Sequence, residues 1–153
     1  MSDLYRPNVG ICLINKDGLI FTAERAEFPN SWQMPQGGID EGEDIHAAAL
    51  RELYEETGIK NVQILGELSE PLRYELPPET QARLWGGRYK GQEQFWICMK
   101  FLGTDDEINL ETDDHIEFVR WRWSPIDTLP ENIVPFKREV YEIIVREFKK
   151  FTD

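Results

Sequence analysis

Hydrophobic and polar positions along the chain follow two periods. From Asn8 to Asn15 they alternate, with Val9, Ile11 and Leu13 on one face, which predicts a strand. Lys16-Asp17-Gly18 is a turn signal and Leu19 to Arg25 returns as a second strand, so a hairpin is expected to open the fold. Glu27 to Ser31 reads as a loop, and Trp32-Gln33-Met34 as a short strand that Pro35 stops. Gln36-Gly37-Gly38 suits a tight bend. Further strands are expected over Val62 to Leu68, Leu72 to Leu76, Phe95 to Leu102 and Glu117 to Trp123, with Trp121 and Trp123 in the core. Pro77-Pro78 ends the second of these. Glu79 to Gln94 reads as a long loop, a length that is often functional in a compact domain. Ser124 to Pro135 reads as a connection.

The period changes to that of a helix twice. After the acidic loop Asp40 to Glu43, Asp44 is a fair N-cap, and the segment it opens is expected to run to Thr57, where Gly58 suits a left-handed C-cap. Phe136, Val140, Ile143, Ile144, Phe148 and Phe151 then fall at helical spacing, predicting an amphipathic helix laid on a sheet. Strands interrupted by two helices give a mixed α/β sandwich, and 153 residues are most economically one domain spanning 1–153.

Composition narrows the function classes. A formal net charge of −12 argues against a broad surface for nucleic-acid backbones, yet leaves room for a local basic pocket that grips one phosphorylated end. Cys12 and Cys98 sit in apolar runs without metal-ligand spacing and read as buried free thiols, which fits a reducing cytoplasm. No signal peptide and no apolar run near the ~18 residues of a membrane span is present, so a cytoplasmic protein without membrane attachment is expected. His46 and His115 lack partners at ligand spacing and read as surface residues.

The first helix carries the unusual chemistry. Glu52, Glu55 and Glu56 stand at i, i+3 and i+4 and share one face. Clustered carboxylates repel one another, and more so where water is partly excluded. A hard divalent cation with oxygen ligands answers that repulsion.

Written as spacing, the stretch is Gly37-x5-Glu43-x7-Arg51-Glu52-Leu53-x-Glu55-Glu56-x-Gly58-Ile59. It resembles the Nudix box, here residues 37–59, with each defining position filled. The resemblance implies an α/β/α sandwich with the box helix and a C-terminal helix packed on a mixed sheet. It also implies hydrolysis of a nucleoside diphosphate linked to another moiety, with Mg²⁺ or Mn²⁺, more than one ion, as cofactor. Glu52, Glu55 and Glu56 are then the metal ligands, with the Gly37 carbonyl as a further one. Arg51 orients a carboxylate, Glu43 holds the loop, Glu56 belongs with Glu52 and Arg51 to the catalytic set, and Glu52 is the chosen general base.

Outside the box, Tyr5-Arg6-Pro7-Asn8-Val9-Gly10, Trp32-Gln33-Met34-Pro35-Gln36, Gly91-Gln92-x-Gln94-x-Trp96, Trp121-Arg122-Trp123 and Val134 to Tyr141 are similar to one subgroup. That subgroup comprises RNA pyrophosphohydrolases and asymmetric diadenosine-tetraphosphate hydrolases. By this resemblance Arg6 and Arg25 meet 5′ phosphates, Tyr74 lies at the substrate mouth, and Phe136 and Lys137 meet the first bases or phosphates. Glu117 matches a further metal-binding or base carboxylate. Taken singly, Arg6 and Arg25 read as surface residues, Phe136 as a core anchor and Glu117 as an ordinary strand charge. The chain departs from the subgroup at Glu93 or Phe95, where a basic residue is usual, and at Glu75, where some relatives carry lysine; Arg83, Arg88 and Lys90 are candidates to compensate. The expected substrate is 5′-triphosphorylated RNA, converted to the monophosphate and so promoting mRNA decay, with a dinucleoside polyphosphate such as diadenosine tetraphosphate as the alternative. Retention of Glu52 and Glu56 speaks against a non-catalytic binding module on the same fold.

Overall fold

Strand β1 (Tyr5–Ile14) is apolar on both faces, and that decides its place. Val9, Ile11 and Leu13 belong to one apolar cluster, while Cys12 and Ile14 belong to another. A strand of this kind has to be covered on both sides. The structure is a computed structural model and describes residues 4–111 and 118–153. In it β1 lies at the centre, paired in parallel with β7 (Gly91–Phe101) from Tyr5↔Gly91 to Ile14↔Lys100. On the far side of β7 run β5 (Val62–Glu67) and β6 (Leu72–Glu75), both antiparallel to it.

The expected opening hairpin closes only at its turn. There the Asn15 side chain accepts from the N–H groups of Asp17 and Leu19 at 3.0 and 2.9 Å. β2 (Ile20–Arg25) meets β1 only at Ile14↔Ile20, then leaves to pair with β3 (Trp32–Gln33) and β8 (Phe118–Ser124). The edge of β1 so released is taken by β4 (Gln36–Gly38), through Asn8↔Gly38, Val9↔Gly37 and Gly10↔Gln36. Gln36-Gly37-Gly38 is therefore a strand and not a bend, and neither glycine adopts a positive φ.

Helix α1 (Ile45–Thr57) sets Ala48, Ala49 and Leu53 onto the Val9, Ile11 and Leu13 face. Asp44 caps it by accepting from the Ala47 N–H at 3.1 Å, and Gly58 closes it at φ 73°. The opposite face is covered by α4 (Arg138–Phe148) through Val140, Tyr141, Ile144 and Phe148. The Tyr141 hydroxyl accepts from the Met34 N–H at 2.9 Å, which ties this helix to the segment just ahead of β4. The expected α/β/α sandwich results.

Three stretches hold more structure than their patterns predict. The expected loop Glu79 to Gln94 contains most of α2 (Pro78–Arg83), a 3-10 turn at Trp85–Gly87 and the start of β7. The strand ends before Pro77, as expected, and Pro78 also opens the helix, since a proline in the first turn has no N–H to waste. The connection after β8 folds into a 3-10 turn (Ile126–Thr128) and the short α3 (Leu129–Asn132). The C-terminal helix is narrower than expected, with 3-10 turns at Pro135–Lys137 and Lys149–Thr152 on either side. Trp121 and Trp123 are half-buried and pack on Phe21 at 5.9 and 5.8 Å between ring centroids. Cys12 and Cys98 are buried free thiols at paired positions of β1 and β7. His46 is a half-buried surface residue and joins α1 to β5 through Glu67 at 2.7 Å. Among the described residues no helix is long and apolar enough to cross a membrane.

Candidate active site

Gly37 is required by the approach of α1. A Cβ at this position would stand 2.0 Å from the Glu52 carboxyl carbon, so only a glycine lets the carboxylate rest against β4. Gly38 serves Arg6 in the same way, since a Cβ there would run into the guanidinium. The two glycines thus bring a carboxylate and a guanidinium to neighbouring positions of one strand.

Arg51 is the hub behind this wall. Its Nε and Nη2 fork onto both oxygens of Glu43 at 2.8 and 2.9 Å, and Nη2 also donates to the Gly38 carbonyl at 3.0 Å. Nη1 donates to Glu52 Oε1 at 2.9 Å and to Glu55 Oε2 at 3.3 Å. One guanidinium therefore binds the acidic loop, β4 and the carboxylate face of α1 together. The Arg51 hydrogen bonds, aided by the Asp40 N–H, hold the Glu43 carboxyl down at about 2. Glu43 in turn raises the Arg51 guanidinium above its ordinary value, so the pair stays ionised.

The three glutamates stand at graded depths. Glu55 is the most open, with 40% of its side chain exposed, Glu52 has 16%, and Glu56 is buried. Among the described residues no three acidic, imidazole or thiol side chains are gathered into a closed metal cage. As a donor set, however, these carboxylates with the Gly37 carbonyl suit a hard divalent cation. All donors are oxygen and most are anionic.

In front of Gly37 opens a cavity of about 490 Å³. Gly37, Glu52, Arg6, Arg25, Tyr74, Phe136 and Lys137 all line it, which brings together in one place residues from β1, β2, β4, α1, β6 and the turn before α4. Arg25 is ion-paired with Glu27 and lies 6.0 Å from the Phe28 ring. Tyr74 and Phe136 form one wall, their centroids 5.9 Å apart. Phe136 also packs on the core, as a core anchor does. Burial pushes the Tyr74 phenol up to about 12, so it stays protonated at neutral pH; its oxygen accepts from Gln92 Nε2 at 2.7 Å. Lys137 is buried under the cavity, donating to Gln33 and Gln36 at 2.9 and 3.3 Å and 5.5 Å from the Tyr74 ring centroid.

Arg51, Glu55 and Glu56 do not line this cavity but stand behind its wall on α1. Glu117 lies outside the described residues, as does His115. The floor comes from residues that the hydrophobic pattern passed over. Asn8, Gln36 and Gln92 line the cavity, and Gln94 behind them donates to Asn8 and Gln36 at 2.9 and 3.0 Å. The one signal for them was an amide pair, Gln92 and Gln94, at the head of an apolar run. Of the compensating cations, Arg83 lines the cavity, whereas Arg88 lies on Tyr89 at 5.0 Å and Lys90 pairs with Glu75 at 3.4 Å. Glu93 faces Arg73 at 3.1 Å and is not part of the lining.

Residues 4–143 match the NUDIX domain. An RNA pyrophosphohydrolase of Cereibacter sphaeroides is 53% identical over 148 residues, covering 95% of this chain and 91% of that protein. An RNA pyrophosphohydrolase of Rhodospirillum rubrum is 54% identical over 147 residues, covering 96% and 88%. Among solved structures, the dihydroneopterin triphosphate pyrophosphohydrolase of E. coli superposes with a TM-score of 0.74 at 18% identity, over 94% of this chain and 99% of that one. An Ap4A hydrolase of C. elegans does so with a TM-score of 0.67 at 19% identity, over 94% and 96%. At such identities the structures speak for the fold alone. The extent of the domain match, with relatives identical at more than half of the aligned positions, makes this chain a member of the NUDIX domain family.

Proposed function

We propose that this chain is an RNA 5′ pyrophosphohydrolase, converting a 5′-triphosphate end to a 5′-monophosphate and so exposing the transcript to nucleases. One observation carries the reading. A single cavity joins two guanidiniums, an aromatic wall and the Glu52 carboxylate, as a phosphorylated nucleotide end demands. Relatives identical at more than half of the aligned positions that bear the name RNA pyrophosphohydrolase support it. Hydrolysis inside transcripts' own compartment would place the protein in the cytoplasm, which suits the buried free thiols.

Glu52, Glu55 and Glu56, with the Gly37 carbonyl, would hold the divalent cations, Mg²⁺ or Mn²⁺ and more than one. Held there, such cations would supply neutralisation of the anhydride oxygens and a more acidic water. The chain's own groups do the rest. Arg6 and Arg25 fork onto phosphate oxygens and fix the end of the substrate. Tyr74, protonated at neutral pH, offers these oxygens a donor rather than a second anion. Phe136 supplies a stacking face for a base with little sequence preference. Arg51 holds Glu52 by Oε1, and Oε2, which stands against Gly37, is the oxygen that takes the proton from the attacking water. The water oxygen then bonds to phosphorus as the anhydride P–O bond breaks, its electron pair leaving with the departing pyrophosphate or orthophosphate.

The same site would also admit a dinucleoside polyphosphate. Turnover of a γ-labelled 5′-triphosphate RNA and of diadenosine tetraphosphate, compared in Mg²⁺ at equal protein, separates the two. A strong preference for RNA is expected, and a strong preference for the dinucleotide would reverse the assignment. Glu56→Gln should lose at least about 100-fold in kcat with its thermal transition nearly unchanged, as expected for a ligand to catalytic metal. Full activity in that variant would remove Glu56 from the metal set.

A further inference from the structure

Helix α2 is hard to explain as part of the core. None of its residues is buried, and it spans only Pro78–Arg83. It is held locally, by Gln81 donating its amide to the Leu76 carbonyl at 2.7 Å and by the Gly87 N–H on the Leu84 carbonyl at 2.9 Å. Yet Thr80 and Arg83 of this helix, and Leu84 just after it, line the catalytic cavity. What α2 does for the molecule is done in that cavity.

The charges there make Arg83 the informative residue. The Arg25 guanidinium is shared with Glu27, and Lys137 is buried and engaged with two glutamine carbonyls. Glu27 and Glu52 line the same cavity and subtract from its positive field. Arg83 is exposed and, among the described residues, enters no ion pair. A chain of phosphates gains charge with each added phosphate, so holding a polyphosphate against two carboxylates requires more cation than holding a monophosphate does. We propose that Arg83 is a third guanidinium that grips the substrate's polyphosphate from the α2 wall, and that it discriminates triphosphate-bearing ends from the monophosphate product. The inference rests on the polyphosphate substrate proposed above. It assigns to α2 the role of a substrate-binding flap outside the box.

Arg88 provides the control. It carries the same charge on the same segment, is stacked on Tyr89, and does not line the cavity. Steady-state kinetics on 5′-triphosphate RNA in Mg²⁺ should show Arg83→Ala raising KM about tenfold, the loss of one charge-assisted contact, with kcat within about twofold. Arg83→Lys should recover part of that loss, since a point charge lacks the fork. Arg88→Ala should stay within about twofold of the parent protein, because screening blunts a charge that makes no contact. Inhibition by inorganic tripolyphosphate should weaken in Arg83→Ala, and inhibition by orthophosphate should not.

Equal effects of the Arg83 and Arg88 variants would reduce the result to bulk charge and overturn the proposal. So would an unchanged KM in Arg83→Ala. If the parent protein hydrolyses diadenosine tetraphosphate and not RNA, the RNA reading falls, and Arg83 is judged by the same KM shift on that substrate. If it hydrolyses neither, calorimetric binding of tripolyphosphate to the parent and to Arg83→Ala decides, equal affinity refuting the grip.

Discussion

Gly37→Ala is the sharpest perturbation available, because it adds one methyl group and changes no charge. The methyl carbon would sit 2.0 Å from the Glu52 carboxyl carbon, and real Cβ contacts essentially never fall below 3.0 Å. Glu52 must therefore retreat by about 1 Å, or more if β4 holds firm. β4 does hold, since Val9↔Gly37 is an in-register pair with the central strand. The retreat also pulls Oε1 from the 2.9 Å hydrogen bond that Arg51 gives it. A misplacement of about 1 Å in a reacting group costs on the order of 100-fold in rate, or about 2.7 kcal/mol of transition-state stabilisation. The backbone asks for no positive φ at Gly37, and the group displaced is the end of a flexible side chain. Stability should consequently change little. The assay is kcat on triphosphate RNA at saturating Mg²⁺, beside a thermal melt. A kcat within about threefold of the parent, with an unchanged melt, would refute the claim that Glu52 acts from its seat against Gly37.

Three further outcomes are expected. Arg25→Ala should raise KM about tenfold with little change in kcat, and an unchanged KM removes Arg25 from the phosphate grip. Glu43 is held from an ordinary 4.5 down to about 2, chiefly by its hydrogen bonds from Arg51. A carboxyl depressed in this way adds stability above about pH 4.5, and that stability fades as the pH falls toward 2. The melting-temperature gap between the parent and Glu43→Gln should therefore close on acidification over that window; a constant gap contradicts the pairing. Tyr141→Phe strips the Met34 N–H of its 2.9 Å acceptor in the core. About 1–3 kcal/mol should be lost, seen as a melt lowered by roughly 2–4 °C per kcal/mol, and an unaltered melt would show that the N–H finds another partner.

Legibility in the sequence divided along a physical line. α1 could be read to its last residue because Asp44 and Gly58 are caps whose chemistry is local, and because Ala48, Ala49 and Leu53 recur at the helical period. Arg51 and the glutamates were legible as spacing along one helix, whereas the place of Gly37 on β4, against Glu52, was not. β7, in contrast, was expected only from Phe95, although it begins at Gly91. Its first residues include Gln92 and Gln94, which are buried yet polar because they build the cavity floor. A strand serving a polar site loses the apolar alternation by which strands are recognised. α2 was missed for the opposite reason. It buries nothing, so no periodicity marks it, and the prolines that end the strand before it gave no sign that one of them also opens a helix. The departure of β2 from β1 was also out of reach, since it follows from β4 filling the edge, a choice made in three dimensions.

The parallel pairing of β1 with β7 carries one more consequence. At one end of this ladder stand Arg6, Asn8, Gln92 and Gln94; from Val9↔Phe95 onward the same two strands supply Ile11, Cys12, Leu13, Ile97, Cys98 and Met99 to the core. Substitutions in the first part fall on the polar floor of the cavity and its buried amide network. Those in the second part endanger the fold and leave the substrate untouched. The polar contacts of the cavity and the apolar packing of the core are thereby shared out along one pair of strands. The frontier between the two regimes is a single rung of the ladder.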